Sequence, residues 1–319
     1  MCIKLTQQKF TIDSVNACKL HYQLILKNYS NNLRFRKLAE HTVLASKTEI
    51  RKFLEYLINR NVQRLSRITN ENIFNYIFSL DKYNYSVNTK SSKISKIRMF
   101  LKFAYVNNYT QIDFSLVVPK VKINHNAIIH HTIWTEDQVN KILKSIDTSS
   151  PYGKRDYAIL TLISHLGLRF CDVKELKFGD VNWQMNVINI SQSKTKKYVS
   201  LPLTNIVGNA IIDYIKNGRP NVDYKYIFLS DNDRPFDKKD TINTSFKKYL
   251  ELAGIDISNK KYIGVYTLRH SLASTLLQKR TPLSTISSIL GHTDINNTAI
   301  YLKVDVPSLR ECCLDLGVF

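Results

Sequence analysis

The chain has 319 residues, which suits about two domains, and 44% of them are hydrophobic, enough for a sizeable core. Nine glycines and seven prolines are too few for a loop-rich or disordered chain. No apolar run approaches the ~18 residues of a membrane span, and the residues after Met1 lack the apolar region of a secretory signal. We therefore expect a soluble cytoplasmic protein.

Positive charge is the first indication of a partner. The 46 Lys and Arg residues against 26 Asp and Glu give a formal net charge of +20, spread along the chain. Because a Lys or Arg placed on a phosphate releases condensed counterions, this excess favours a polyanionic partner and a folded binding surface. Charge alone leaves open a basic protein with no nucleic-acid role.

The sequence predicts no metal site or other cofactor. The five cysteines stand at positions 2, 18, 171, 312 and 313, and this unpatterned set argues against a disulfide framework and a zinc site. His130 and His131 have no Cys or acidic partner at ligand spacing. The loop Asp231–Asp233 lacks the glycine and the glutamate of a calcium loop. We expect reduced thiols.

The N-terminal third is predicted to be helical, because apolar residues recur there at helical spacing. We expect residues 1–41 to form an extension with a helix at about 16–27, and residues 42–118 to form a helical domain. The apolar stripes are Ile50, Phe53, Leu54, Leu57 and Ile58; then Ile73, Phe74, Ile77 and Phe78 behind Thr69 as N-cap; then Ile94, Ile97, Leu101 and Ala104 in a helix starting near Asn88 or Thr89.

Three lysines in the opening turns of this third helix, Lys90, Lys93 and Lys96, are three residues apart and therefore neighbours on its surface. They are candidate phosphate contacts, and a merely solvated face remains open. The helical pattern then lapses over residues 119–133, which we interpret as an extended linker. Lys120 and Lys122 in this segment are further candidate DNA contacts.

Residues 134–319 are predicted to form a second domain that mixes helices with a small sheet, so the fold class is mainly α with a little β (α+β). A T-x-x-Q capping box at Thr135 starts it, and a helix over 157–165 ends at Gly167. Strands at 187–190 and 198–203 flank a basic turn at 191–197. Further helices are expected at 204–217, 241–253, 267–280, 283–290 and 296–303.

Cutting DNA without a metal makes particular chemical demands. Negative charge builds on the phosphate oxygens, and fixed guanidinium and imidazole donors can stabilise it. The leaving sugar oxygen needs a proton from a lysine or a histidine. A side-chain nucleophile keeps the bond energy in a covalent intermediate, so rejoining needs no ATP. A tyrosine, with an ordinary pKa of roughly 10, ionises more easily among cations.

The second domain contains such a set of residues. In chain order it is Leu166-Gly167-Leu168-Arg169 with Asp172; Lys194 in the basic turn; Tyr266-Thr267-Leu268-Arg269-His270; Gly291-His292; and Tyr301, nine residues after His292. In this order and spacing the set resembles the tyrosine recombinase (phage integrase) family over most of residues 135–303. Residues 42–118 resemble that family's helical core-binding domain by pattern only.

The resemblance implies a role for each residue. Arg169 and Arg269 would hold the scissile phosphate, and Lys194 would protonate the 5′-hydroxyl leaving group. His292 would donate to a phosphate oxygen, and Tyr301 would form a 3′-phosphotyrosyl link. The remaining implied residues are Asp172, which would help to hold the first arginine, and His270, which would be structural. Lys196 and Lys197 share the turn with Lys194 and are candidate DNA contacts; a solvated turn, or one of these neighbours as the acid, stays open.

One position departs from the family's pattern, because Tyr266 stands where the family has the histidine of H-x-x-R. A tyrosine can still donate a hydrogen bond but is a poor base near neutral pH. Our hypothesis is that Tyr266 replaces the histidine as a donor. Two alternatives stay open: a DNA-binding descendant of a recombinase that has lost activity, and a type IB topoisomerase or telomere resolvase. Taken singly, each of these residues also has a structural explanation.

The resemblance further implies a clamp around double-stranded DNA and a tetramer that exchanges strands through a Holliday junction. The chain end, residues 302–319, is partly apolar, so we predict that it docks on a neighbouring protomer; packing on its own domain is the alternative. Accessory DNA-bending or directionality factors would be compatible with this assembly. We expect the protein at the nucleoid, as an integrase, transposase or resolvase whose biological task and target sequence the sequence does not specify.

Overall fold

The computed structural model describes residues 12–121, 132–237, 240–260, 262–292, 294 and 296–299. The chain divides into two compact units, residues 1–126 and 127–319. Lys122, the linker histidines, Tyr301 and the segment 302–319 lie outside the described residues. Among the described helices, none is long and apolar enough to cross a membrane.

The first unit is helical, as predicted. Its helices are α1 (Ile12–Phe35), α2 (Glu40–Asn59), α3 (Asn70–Ser79) and α4 (Val87–Val106). Thr69 is confirmed as the N-cap of α3, where it forms a capping box with Asn72. The start of α4 is set by Ser86, whose side chain accepts from the Thr89 backbone N–H at 3.2 Å.

Aromatic rings fill the centre of this unit. Tyr29 of α1 packs edge-on against Phe100 of α4, with ring centroids 5.2 Å apart, and Phe53 of α2 lies 6.4 Å from Phe100. All three are buried. The helix expected in an N-terminal extension is thus part of the same core as the predicted helical domain. Phe78 was expected in the buried stripe of α3 but is 65% exposed, because Tyr76 takes the inward position beside Phe53.

The second unit combines eight described helices with one small sheet, and this confirms the predicted fold class. The helices are α5 (Glu136–Lys144), α6 (Pro151–Leu166), α7 (Phe170–Val173), α8 (Asn205–Asn217), α9 (Asn243–Leu252), α10 (Tyr266–Gln278), α11 (Leu283–Leu290) and α12 (Asn296–Ala299). The sheet is antiparallel in the order β1 (Val181–Asn182), β2 (Val187–Ser191) and β3 (Tyr198–Pro202). The two-residue β1 was not predicted, because it is too short to show an alternating pattern.

Most of α6 is buried, and its apolar residues between Ala158 and Leu166 belong to the main apolar core of this unit. The capping box predicted at Thr135 is confirmed, with Gln138 as its partner. Just before it, Trp134 is anchored on α10: its backbone N–H donates to Ser271 Oγ and its indole N–H to Thr267 Oγ1, both at 2.7 Å. The start of this unit is therefore fixed to the helix that carries Arg269.

Candidate active site

Two helix ends form the base of the candidate site. α6 ends at Gly167 and α11 ends at Gly291, both in the left-handed conformation with φ of 63° and 61°. Glycine adopts this conformation without the steric cost that a Cβ brings. A Cβ on Gly167 would lie 2.7 Å from the Leu290 side chain, so the two helix ends also pack closely together.

Arg269, in the first turn of α10, lies between these two ends and is completely buried. Its Nη1 donates to the Gly167 carbonyl, and its Nη2 donates to the Leu290 carbonyl at 2.7 Å. The C-terminal end of a helix carries partial negative charge, so both ends attract the guanidinium. These two carbonyls, which carry only partial charges, fix the guanidinium plane.

His292 comes directly after Gly291 in the chain, and only 9% of it is exposed. Its Nε2 is 3.1 Å from Nη2 of Arg269, and its Nδ1 is 2.7 Å from the Thr298 hydroxyl. Because a guanidinium only donates, we assign Nε2 as the acceptor and place the imidazole proton on Nδ1, toward Thr298. Burial, and then the charges of Arg269, Arg169, Lys194 and Lys197, lower the pKa of His292 to about 4. Without DNA, His292 is therefore neutral at pH 7.

Arg169 stands at the start of α7, one residue beyond the buried Leu168. Its Nη1 donates to the side-chain oxygen of Gln192 at 2.7 Å, while Asp172 Oδ2 is 3.9 Å away. The shorter contacts of Asp172 go elsewhere: its Oδ1 accepts from the backbone N–H of Ser193 at 2.8 Å and from the Ser193 hydroxyl at 2.6 Å. Asp172 thus holds the residue before Lys194 more closely than it holds the first arginine.

Lys194 lies in the turn between β2 and β3 and is exposed, as are Lys196 and Lys197. The turn is closed by two backbone bonds of Gln192, from its N–H to the Lys197 carbonyl at 2.9 Å and from the Lys196 N–H to its carbonyl at 2.8 Å. The charges of Lys194 and Lys197 both act on His292, so the turn brings cations to the same site as the arginines.

Tyr266 is the first residue of α10, three residues before Arg269, and 46% of it is exposed. Its ring meets the ring of His270 edge to face, with centroids 4.5 Å apart. His270 itself is buried, in keeping with the structural role that the family resemblance implies. Tyr266, which stands where the family has a histidine, therefore has a partly exposed ring that packs against His270.

The candidate DNA contacts of the first unit differ in their surroundings. Lys93 pairs with the buried carboxylate of Glu49 at 2.5 Å, and only 13% of the Lys93 side chain is exposed. Lys90 pairs with Asp81 on the surface. Lys96 is half-buried and Lys120 is exposed. Since Lys93 neutralises a buried charge, a structural role explains its position without any DNA.

Sequence reasoning missed three residues that the structure brings to the site: Gln192, Ser193 and Thr298. Gln192 and Ser193 stand beside an expected turn, where polar residues are common, and nothing in the pattern distinguishes them. Thr298 is fully buried and belongs to α12, the last described element before Tyr301. Among the described residues, no cluster of His, Cys, Asp or Glu could hold a metal ion.

Comparison with known proteins gives relatives along most of the chain. A tyrosine recombinase of Pseudothermotoga lettingae is 30% identical over 284 residues, covering 88% of this chain and 93% of the relative. The tyrosine recombinase XerD of Staphylococcus haemolyticus is 25% identical, covering 91% of this chain and 97% of the relative. The fold is similar to that of the XerH site-specific recombinase in a post-cleavage complex with its palindromic difH substrate. That similarity has a TM-score of 0.71 at 20% identity, over 96% of this chain and 89% of XerH.

Family models match both units separately. Residues 26–108 match the N-terminal SAM-like domain of phage integrases, and this match begins inside α1. Residues 133–307 match the phage integrase family, a stretch that includes all six candidate catalytic residues from Arg169 to Tyr301. More than half of the chain is covered by that second match. The chain therefore belongs to the phage integrase family of tyrosine recombinases.

Proposed function

We propose that the protein is a site-specific DNA recombinase that cuts and rejoins DNA through a covalent 3′-phosphotyrosyl intermediate, without metal or ATP. The observation that carries the proposal is the joint placement of Arg169, Arg269 and His292. Arg169 and Arg269 are linked through Gln192 and the Leu290 carbonyl, and Arg269 contacts His292 directly. This is a preorganised set of donors for an oxyanion.

In the proposed reaction Tyr301 loses its proton to water, helped by the surrounding cations, and attacks the scissile phosphorus as the phenolate while the bond to the 5′ oxygen breaks. Arg169 and Arg269 stabilise the charge that builds on the non-bridging oxygens. Lys194 gives its proton to the leaving 5′ oxygen, and rejoining reverses each step. Rejoining to a different strand makes the reaction a recombination.

His292 needs a change of state to donate to the phosphate, since its Nε2 accepts from Arg269 in the DNA-free protein. A bound phosphate draws the guanidinium hydrogens of Arg269 toward itself, and its negative charge raises the pKa of a neighbouring imidazole. We propose that His292 then carries a proton on Nε2, by proton uptake or by exchange of tautomers. Thr298 keeps the ring oriented through Nδ1 in either case, because a hydroxyl can donate or accept.

We propose that Tyr266 takes the place of the family's histidine as a hydrogen-bond donor to the phosphate. Its ring is supported by His270 and it lies on the same helix turn as Arg269. Tyr266→Phe keeps the ring and removes the hydroxyl, so single-turnover cleavage should slow by about 10-fold, the effect of one hydrogen bond to a charged group. Cleavage as fast as that of the parent would rule out this role.

DNA is the partner that the family and the charge of the chain both support. We propose that the first unit up to residue 118 is the core-binding domain, that residues 119–133 connect it to a catalytic domain over 134–319, and that Lys96, Lys120, Lys122, Lys196 and Lys197 contact phosphates. We further propose a tetramer on two duplexes, in which residues 302–319 dock on a neighbouring protomer. Accessory DNA-bending or directionality factors remain compatible with this assembly.

The test is the formation of a covalent adduct. The full chain is incubated in EDTA with nicked duplexes that carry the DNA flanking its own coding region, and SDS-stable protein–DNA adducts are measured. Adducts should form with the parent and with Tyr262→Phe, a control tyrosine that is 60% exposed, and should vanish in Tyr301→Phe. Adducts that persist in Tyr301→Phe would contradict the assignment of the nucleophile.

One observation favours a second candidate, a DNA-binding descendant with little activity: the tyrosine at position 266. Specific binding of the flanking DNA without any adduct would support it. Tyr266→His would then be the first variant to make, and recovery of adduct formation would show that this single position had limited the chemistry.

A further inference from the structure

A glutamine that does not belong to the recognised set lies at the centre of the site. Gln192 follows β2 directly and is completely buried. Its side-chain oxygen accepts from Nη1 of Arg169 at 2.7 Å and from the Thr195 hydroxyl at 2.8 Å. Its side-chain nitrogen donates to the Leu290 carbonyl at 3.1 Å. Both ends of the amide are therefore engaged.

The Leu290 carbonyl is shared, because it also accepts from Nη2 of Arg269 at 2.7 Å. Three consecutive hydrogen bonds thus connect Arg169, Gln192, the end of α11 and Arg269. The same glutamine closes the turn that carries Lys194 through its own backbone N–H and carbonyl. One residue therefore contacts the first arginine, the lysine turn and the helix end that holds the second arginine.

The chemistry of this position selects an amide. Arg169 requires an acceptor and the Leu290 carbonyl requires a donor, and a glutamine side chain supplies both. A glutamate would accept from Arg169, but its second oxygen would face the carbonyl without a proton. It would also place a full negative charge 2.7 Å from the guanidinium that is meant for the phosphate. A neutral amide holds Arg169 without that competing charge.

We propose that Gln192 is the positioning residue that sets the phosphate-binding arginines and the proton-donating turn as one unit. This inference rests on the proposed function and deepens it. Gln192 is buried and is not expected to touch DNA, yet its loss should impair two separate parts of the reaction. Arg169 should lose its place on the phosphate, and Lys194 should lose its place near the leaving oxygen.

The test separates these two parts by changing the leaving group. Single-turnover cleavage by the full chain is measured on the nicked duplex and on the same duplex with sulfur at the 5′ bridging position. A thiolate leaves without a proton, so the sulfur substrate no longer needs Lys194. Lys194→Ala should therefore recover fully on sulfur, whereas Arg169→Ala should not recover.

For Gln192→Met we expect cleavage of the oxygen substrate to fall about 10- to 100-fold, and the sulfur substrate to recover only part of that loss. Gln184→Met, at an exposed glutamine in the other turn of the sheet, is the matched control and should cleave like the parent. Urea unfolding, monitored by tryptophan fluorescence, checks that each variant is folded. If Gln192→Met does not fold, Gln192→Glu, which keeps the size of the side chain, is used in the cleavage test in its place.

Three results would overturn the inference: cleavage by both Gln192 variants at the parent's rate, a loss with no recovery on sulfur, or a loss that sulfur removes completely. The second would exclude an effect on Lys194 and the third an effect on Arg169. A parent protein that cleaves neither substrate would instead contradict the proposed function, and this result does not involve Gln192. The two failures can therefore be told apart.

Discussion

Gly291 offers a direct test of the packing at the site, because two penalties meet at this residue. Its φ of +61° is costly for a side chain, and a Cβ built there would lie 2.3 Å from the side-chain nitrogen of Gln192. Gln192 is completely buried, so it cannot move aside into solvent. Gly291→Ala should therefore expel the Gln192 amide from its hydrogen bonds.

The magnitude follows from the two penalties. The left-handed backbone costs an alanine about 1–2 kcal/mol. Loss of the bond from Arg169, which is charged, adds about 1.5–3 kcal/mol to the destabilisation. Gly254→Ala is the matched control, since Gly254 has a φ of +65° and nothing within 4 Å of its Cβ position. With a fall of about 2–4 °C per kcal/mol, Tm should drop by about 4 °C in the control and by about 10 °C in Gly291→Ala.

Tryptophan fluorescence reports on the second unit alone, because the chain's two tryptophans, Trp134 and Trp183, both lie there. Thermal melts of the two variants and the parent therefore all report the unfolding of the same unit, the one that contains Gly291 and Gly254. Equal Tm losses in Gly291→Ala and Gly254→Ala would refute the contact between Gly291 and Gln192. A loss of DNA cleavage in Gly291→Ala but not in Gly254→Ala is the expected functional counterpart.

Two further predictions concern charged groups. Because the pKa of His292 is lowered from 6.5 to about 4, its contribution to stability is complete above pH 6.5 and is lost as the pH falls toward 4. Urea unfolding at pH 7.5 and pH 5 should therefore show that the parent's free energy of unfolding falls by up to about 2 kcal/mol more on acidification than that of His292→Gln. Equal pH dependence of the parent and the variant would contradict the buried neutral state of His292. In the first unit, Lys93→Met should lower the free energy of unfolding by about 3–5 kcal/mol, because the buried Glu49 carboxylate loses its cation and keeps only the Tyr76 hydroxyl at 3.4 Å, whereas Lys96→Met should change it by less than about 0.5 kcal/mol. Circular dichroism measures both unfolding free energies. Because we propose that Lys96 contacts a phosphate, Lys96→Met should also lower the salt slope of DNA binding by about 1.

Local signals in the sequence predicted the helical framework well. The bounds of α11 follow from its apolar face and from Gly291, the start of α3 follows from Thr69 as N-cap, and the start of α5 follows from the capping box at Thr135. Each of these signals acts within a few residues, so it can be read without knowing the rest of the fold. The order of the motifs likewise predicted the family.

Contacts between distant parts of the chain could not be predicted in the same way. The bond from Gln192 to Leu290 joins residues 98 positions apart, and the pair of Lys93 with Glu49 joins residues 44 positions apart. Such contacts leave no periodic pattern. For this reason Lys93 was interpreted as a surface cation and the preference of Asp172 for Ser193 was missed. Phe78 was misassigned because the inward face of a ten-residue helix is set by its neighbours.

The burial of Arg269 between two helix ends affects which mutations can inactivate this protein and still leave it folded. Removing that guanidinium would leave the Gly167 carbonyl without this donor in the core and the Leu290 carbonyl with only the Gln192 amide, so a copy that loses Arg269 should be inactive and should also misfold and be degraded. Lys194 is exposed, and its loss should leave a stable protein that still binds DNA. We therefore expect inactive copies of the protein that persist in a genome to have lost exposed residues such as Lys194 first and to have kept Arg269. An intact Arg269 alone is then poor evidence that a copy is active.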